Sequence, residues 1–126
     1  NPREANLVNA NLFDANLSSA NLSDAYLFRT NLSDANLENS NLRNANLRLA
    51  NLVDAFLFNS ELSGAFLVGA DLRGADMSNA ILSGANLWRA NLSDADLTDI
   101  TATNLRACPR YLPSGWVCEN NSLIQG

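Results

Sequence analysis

The side chains that could carry chemistry fall into three groups: two cysteines, neighbouring carboxylates, and aromatic residues beside arginines. The two cysteines are Cys108 and Cys118, and the acidic pairs include Asp94 and Asp96. All 8 basic residues are arginine, because the chain has neither lysine nor histidine. A Ser-His-Asp triad, an imidazole metal site, a lysine Schiff base and a phosphate-loop lysine are therefore excluded.

Three roles compete for Cys108 and Cys118. A zinc site needs four ligands, and two thiolates without histidine or a second cysteine pair supply only half of them. A catalytic thiol needs a basic partner, and arginine is the only basic residue type in the chain. A disulfide fits best, and closing a loop of about ten residues adds roughly 2–3 kcal/mol of stability. A disulfide favours an oxidising compartment, such as a periplasm or a thylakoid lumen, and a chain without it is expected in the cytoplasm.

The charge and hydropathy of the chain exclude two classes of partner. The net charge is −5 and the pI is about 4.4, whereas a nucleic-acid binder usually carries a basic stripe. No window approaches the roughly 20 apolar residues that span a bilayer. We therefore expect no nucleic-acid partner, no membrane insertion, no metal ion and no cofactor.

A five-residue repeat organises residues 5–99. Every fifth residue from position 7 to position 97 is leucine, except Met77, and the residue two before each is alanine. The exceptions to alanine are Thr30, Ser40 and Ser60. In 14 of the 19 repeats the residue before the leucine is Asn or Asp, so the unit reads Ala-Asn-Leu-x-x.

This period fits neither a helix nor a long strand. Five helical residues turn 140° net, which would spread the leucines over all faces, and an odd period breaks the alternation of a strand. A short extended segment with Ala and Leu pointing inward, followed by a corner, satisfies the pattern and winds the chain into a solenoid. The second residue after each leucine suits a positive φ in 15 of 19 repeats. We expect Arg29, Leu49 and Arg89 to avoid that conformation.

The Ala-Asn-Leu-Ser-Asp-Ala pattern and its variants, repeated in tandem, resemble the pentapeptide-repeat family. The resemblance implies an all-β solenoid, a right-handed quadrilateral β-helix with four pentapeptides in each coil. Residues 5–99 would then make about 4.75 coils, and at a strand spacing of about 4.8 Å the rod is roughly 23 Å long. The inward hydroxyls of Thr30, Ser40 and Ser60 need partners, for which a neighbouring coil's backbone is expected.

The two ends are expected to differ. Residues 1–4 form a lead-in, and residues 100–126 form a C-terminal cap with the Cys108–Cys118 loop; some pentapeptide-repeat proteins resemble this cysteine-bracketed ending. The expected cover for the open leucine shaft consists of Trp116, Val117, Leu123 and Ile124. The N-terminal coil would expose the layer Leu7, Leu12, Leu17 and Leu22. Either a removed preceding segment covers it, or two rods meet there in a weak end-to-end homodimer.

The functional hypothesis is a non-catalytic structural rod that binds a protein whose identity the sequence does not give. Aromatic residues beside arginine are enriched at protein interfaces. At twenty residues a coil, one group of such residues falls on a single side, and this candidate interaction surface comprises Val8, Tyr26, Phe28, Arg29, Arg48, Phe66, Val68, Trp88 and Arg89. The alternative to a functional surface is that these bulky side chains only shield the seams between coils.

Two other functions are considered. Some pentapeptide-repeat proteins are acidic rods that occupy the DNA site of a topoisomerase. The feature that favours such DNA mimicry here is a column of acidic residues, namely Asp14, Asp34, Asp54 and Asp94. The modest net charge and the eight arginines oppose it. An enzyme is disfavoured because a filled convex rod offers no cleft for a carboxylate pair such as Asp94 and Asp96.

Overall fold

The computed structural model describes residues 4–126. Parallel β-bridges link each repeat to the repeat twenty residues later, as in Asn6↔Tyr26, Tyr26↔Asn46 and Asn46↔Phe66. Four pentapeptides therefore close one coil, and the chain is a right-handed quadrilateral β-helix. We number its sides in chain order: side 1 begins with residues 5–9, side 2 with 10–14, side 3 with 15–19 and side 4 with 20–24.

Each corner is a tight turn closed by the backbone. The carbonyl of the inward leucine accepts a hydrogen bond from the N–H three residues later, as Leu47 does from Ala50 at 3.1 Å. The third turn residue has φ near +60°, which is the requirement of a type II turn. The expectation that Arg29, Leu49 and Arg89 avoid this region is wrong, because their φ angles are 58°, 57° and 61°.

Backbone hydrogen bonds join each coil to the next and form a ladder along every side. This ladder explains why the residue type at a corner does not control the corner's backbone geometry. The N–H of Arg29 donates to the carbonyl of Arg48, and the N–H of Leu49 donates to the carbonyl of Val68, both at 3.0 Å. A left-handed conformation costs a residue with a Cβ roughly 1–2 kcal/mol. A corner residue that left this conformation would lose the hydrogen bond to the next coil as well as the turn. Every repeat therefore keeps the same corner geometry.

The asparagine before each leucine supports its own turn. In most repeats its Oδ1 accepts a hydrogen bond from the N–H two residues later, for example Ser33 to Asn31 at 3.0 Å and Trp88 to Asn86 at 3.1 Å. Asp71, Asp76 and Asp96 accept the same bond in later repeats. The Asn and Asp columns thus hold the turn geometry, which is a structural role.

The core is a shaft of leucine and alanine along the coil axis. From Leu22 to Leu92 every inward residue of the leucine column, including Met77, is at most 1% exposed. In the first coil Leu7, Leu12 and Leu17 are only half-buried and pack against this core. The expectation of an exposed first layer is wrong for Leu22, which is 0% exposed.

The three inward hydroxyls behave differently. Thr30 donates its hydroxyl to the carbonyl of Leu7 in the neighbouring coil at 2.6 Å, as expected. Ser40 and Ser60, stacked one coil apart on side 4, are buried, and neither Oγ atom has a hydrogen-bond partner. A buried hydroxyl without a partner loses its hydration and gains nothing in return, so we expect these two serines to destabilise the fold.

Ser40→Ala and Ser60→Ala are each expected to raise the free energy of unfolding by about 1 kcal/mol. Alanine already fills this inward position in most repeats, so the shaft accepts it without strain. Thr30→Ala serves as the contrast and should lower the free energy of unfolding by about 1–2 kcal/mol, because it removes a satisfied hydrogen bond and a methyl group. Urea denaturation measures all three. A loss of stability in either serine variant would mean that the hydroxyl finds a partner in solution.

The ladder of bridges continues beyond residue 99 into the segment predicted as the cap. Thr101, Ala107 and Tyr111 bridge to Ile81, Asn86 and Asn91, so one side is lengthened by a residue and the next shortened. The chain then forms an antiparallel hairpin of β1 (Trp116–Glu119) and β2 (Ser122–Gln125). The N–H of Leu123 donates to the carbonyl of Ala102 at 3.0 Å, which joins the hairpin to the last coil.

Only half of the four predicted cap residues cover the shaft. Leu123 is buried, and Trp116 packs against the core together with Leu112 and Cys118. Val117 and Ile124 are 39% and 41% exposed, which corrects the expectation for them. They pair with each other across the hairpin, and neighbouring residues of a strand point to opposite faces, so both leave the core when Leu123 enters it.

Cys108 and Cys118 form a disulfide, with sulfur atoms 2.03 Å apart and α-carbons 6.0 Å apart. The bond ties strand β1 to the last coil, where Cys108 lies between the bridged residues Ala107 and Tyr111. Across residues 4–126 no helix has the length and apolar character needed to cross a membrane.

Candidate functional site

All nine predicted surface residues lie on side 1. The bridge column Asn6, Tyr26, Asn46, Phe66 and Asn86 runs along one half of this side, one coil apart at each step. Two residues further on, the outward column is Val8, Phe28, Arg48, Val68 and Trp88, and the corner column contains Arg29 and Arg89. The coil arithmetic therefore places the residues together; whether they bind a partner remains a prediction.

The exposure of these side chains varies along the rod. Trp88 and Tyr26 are 52% and 51% exposed, whereas Phe28, Phe66 and Val68 are half-buried. Half-buried rings cover the seams between coils, which is the structural role considered above. About half of the Trp88 and Tyr26 surfaces is exposed and therefore accessible to a partner.

Two neighbours on side 1 were missed by the sequence analysis. Leu49 is 47% exposed at the corner, where its side chain lies over Gly69; a Cβ on that glycine would be 2.6 Å from the Leu49 Cδ2 atom. Arg106 joins side 1 because its N–H donates to the carbonyl of Ala85. The column position of Leu49 was a usable signal, whereas Arg106 follows the break in the repeat and had none.

Arginine guanidinium groups rest against the aromatic rings of side 1. Arg89 lies 4.5 Å from the centroid of Trp88, and Arg29 lies 5.3 Å from that of Phe28. Phe66 has two such neighbours, Arg48 at 5.8 Å and Arg106 at 5.9 Å. Each such cation–π contact contributes about 0.5–1 kcal/mol at an exposed site and so favours this arrangement of ring and guanidinium group.

A depression of about 360 Å³ opens between Tyr26 and Phe66. It exists because the bridge column alternates large rings with small amides, so Asn46 leaves a gap between the two aromatic residues. Arg48 lines it on side 1, and Asp24 and Asn44 line it from side 4. It combines apolar walls with charged and amide groups at the edge, as binding depressions do.

Acidic residues dominate another region, where sides 2 and 3 meet. A second depression of about 340 Å³ is lined there by Phe56 together with Asp14, Asp34 and Glu38. Phe56 and its neighbour Phe58, which both point outward on side 3, are 46% and 39% exposed. Within residues 4–126, no cluster of three or more Cys, Asp or Glu side chains is arranged to hold a metal ion.

The carboxylates with perturbed acidity are held ionised. Three hydrogen bonds from the Arg73 side chain, the shortest of them 2.7 Å, lower the pKa of Asp71 below its ordinary value. The Thr98 hydroxyl donates to Asp96 at 2.6 Å and lowers the pKa of that carboxyl as well. A general acid needs the opposite shift, so neither group is suited to donate a proton near neutral pH.

The chain matches the family described as "Pentapeptide repeats (8 copies)" over residues 3–27, 30–74, 50–89 and 60–99. Comparison with curated proteins gives no significant sequence match.

Solved structures of two cyanobacterial proteins are similar. The pentapeptide repeat protein alr5209 from Nostoc PCC 7120 is 30% identical with a TM-score of 0.68, over 91% of this chain and 78% of that protein. HetL from Nostoc sp. strain PCC 7120, a pentapeptide repeat protein involved in heterocyst differentiation regulation, is 37% identical with a TM-score of 0.50. That match covers 82% of this chain and 53% of HetL, so the chain spans about half the length of HetL.

Proposed function

The chain belongs to the pentapeptide repeat family, and we propose that it is a non-catalytic rod that binds another protein through side 1. The observation that carries the proposal is the coincidence on one side of the most exposed tryptophan and tyrosine with arginines already ordered against rings. Trp, Tyr and Arg are the residue types enriched in interface hot spots. Side chains ordered before binding lose less entropy when a partner arrives.

The β-helix supplies the rigidity that such a surface needs. Each coil is joined to the next by backbone hydrogen bonds on all four sides, and the leucine shaft is continuous. A partner therefore meets side chains at fixed spacings along the rod, as on the binding faces of other repeat proteins.

DNA mimicry has less support. The aspartate column on side 2 is interrupted at Gly74, where the fourth of five members lacks a side chain. Side 1, which makes up a quarter of each coil, carries arginines and no acidic residue between positions 5 and 89. A surface that imitates DNA has to be acidic where the enzyme contacts it.

Capture from an extract of the native cell tests the proposal. The immobilised chain is compared with the Phe28→Ala/Trp88→Ala double variant, and we expect at least one specific protein to be lost with the variant. The matched control is Phe13→Ala/Phe58→Ala, which removes two exposed phenylalanines from sides 2 and 3. Identical sets of captured proteins for the wild type and the side 1 variant would refute the proposal.

A further inference from the structure

Charge is distributed unevenly around the rod. The side 1 repeats contain three arginines and no acidic residue, although the whole chain has 13 acidic residues. Sides 2 and 3 carry most of the acidic side chains, namely Asp14, Asp34, Asp54, Asp71, Asp94, Glu38, Asp76, Asp96 and Asp99. An acidic protein thus presents one basic, aromatic side, which attracts a negatively charged partner. The three other sides attract positively charged partners instead.

The arginines of side 1 differ in their contacts from Arg43 and Arg73, the other two arginines of residues 5–99, whereas Arg110 in the C-terminal segment also lies over a ring, 5.4 Å from the centroid of Tyr111. Arg43 and Arg73, on sides 4 and 2, lie 3.6 Å and 2.7 Å from the carboxylates of Glu61 and Asp71. Within the described part of the chain, Arg29, Arg48, Arg89 and Arg106 have no carboxylate within 4 Å and contact rings instead. A guanidinium group stacked on a ring keeps its in-plane N–H donors available for a carboxylate.

The depression between Tyr26 and Phe66 adds an apolar site beside these arginines. Its walls are two rings, and Arg48 stands at its side 1 edge. Asp24 lies at the opposite edge of the depression, on side 4. The geometry favours an apolar group in the gap with negative groups to one side of it.

We propose that the partner of side 1 is an acidic protein segment, which places one apolar side chain between Tyr26 and Phe66 and its carboxylates on Arg48 and the neighbouring arginines. This inference rests on the proposed function and adds the chemistry of the partner. The buried apolar group supplies affinity, and the carboxylate contacts supply orientation and a fast association rate.

The observations favour a protein segment over a single-stranded nucleic acid. Bases bind such proteins by stacking on free aromatic faces. On side 1 the rings of Phe28, Phe66 and Trp88 are already in contact with guanidinium groups. The acidic sides 2 to 4 and the net charge of −5 also repel a long polyanion, whereas a short acidic segment meets only side 1.

Selection from a display library of short random peptides tests the partner's chemistry. The full chain is the bait, and the expected enriched peptides carry several Asp or Glu residues around one aromatic or aliphatic residue. Fluorescence anisotropy then measures the affinity of an enriched peptide. We expect a loss of at least about tenfold for Arg48→Gln/Arg89→Gln, and a weaker complex at high salt.

Two further variants keep the test specific. Asn46→Phe fills the gap between the rings and should also weaken the peptide at least about tenfold, while Arg73→Gln, on side 2, should leave its affinity unchanged within about twofold. Neutral or basic enriched peptides, no enrichment at all, or equal affinity for the Arg48/Arg89 variant would overturn the inference. A short oligothymidine that binds side 1 more tightly than any peptide would overturn it in favour of nucleic acid. If these results occur while capture from the extract still depends on Phe28 and Trp88, the proposed function survives and only the acidic partner is wrong.

Discussion

Leu57→Ala is expected to lower the free energy of unfolding by about 2–5 kcal/mol. Leu57 is 0% exposed in a middle coil, with Leu37 and Met77 one coil away on either side of it in the shaft. Its N–H and the adjacent turn are held by the ladder, including a 2.7 Å bond to the carbonyl of Asp76. The coils therefore cannot move together to fill the space that the leucine side chain leaves. The cost of the substitution is the transfer free energy of the removed atoms plus the cost of the remaining cavity.

The neighbouring residue provides a matched control. Phe58→Ala removes a larger side chain from the same repeat, but that side chain is 39% exposed and points away from the shaft. Its removal should lower the free energy of unfolding by less than about 1 kcal/mol. Denaturant unfolding of both variants decides the point. A cost for Leu57→Ala below about 0.5 kcal/mol would mean that the inward register is not the one that the protein uses in solution.

The five-residue period predicted a solenoid because each position in the repeat has one fixed orientation, whereas the four repeats per coil and the right-handed winding were implied by the resemblance to the pentapeptide-repeat family. Once Leu and Ala point inward, the remaining positions are outward or at a corner, and the column of any residue follows by counting in twenties. The same counting placed Tyr26 above Asn6 and Phe66 above Asn46, and the bridges confirm it. Sequence periodicity carries this much information only because every coil repeats the same geometry.

The failures arise where a residue's own preference is overruled by neighbours distant in sequence. Leu49 has no intrinsic reason to adopt φ of 57°, but its N–H and the turn around it are committed to the adjacent coils. Ser60 lies one coil from Ser40 and finds no acceptor, although Thr30 finds one at an equivalent position on another side. The conformational propensity of a residue depends on that residue and its immediate neighbours, whereas the hydrogen bonds between coils join residues about twenty positions apart.

The candidate site was only partly predictable for a different reason. Counting located the nine outward residues, but the gap between Tyr26 and Phe66 depends on side-chain volumes in successive coils, and the cation–π contacts depend on rotamers. Arg106 lies on side 1 because the successive bridged residues Thr101 and Ala107 are six positions apart instead of five. The repeat pattern does not predict this longer step. The absence of acidic residues from side 1, on which the proposal of an acidic partner rests, was visible in the sequence.

Loss of the Cys108–Cys118 disulfide is expected to destabilise the C-terminal end by about 2–3 kcal/mol without unfolding the middle of the rod. The bond joins residues ten positions apart and ties strand β1 to Cys108, which lies between the bridged residues Ala107 and Tyr111 of the last coil. Hydrogen bonds from Leu105 to Asn121 and from Leu123 to Ala102 then hold the hairpin on the final coil. Without the bond the unfolded segment gains entropy, and these few contacts have to order it alone.

Hydrogen–deuterium exchange with mass spectrometry, with and without reductant, separates a local effect from a global one. Amides of the hairpin and of the last coil, such as Leu92, which donates to Tyr111, should exchange faster on reduction. Amides of the middle coils, such as Leu47 and Leu52, should keep their protection, because coupling in a solenoid passes only between neighbouring coils. The Cys108→Ser/Cys118→Ser variant should reproduce the pattern without reductant, which controls for effects of the reagent. If all coils lose protection together, the disulfide stabilises the entire β-helix, and the coils unfold as a single cooperative unit.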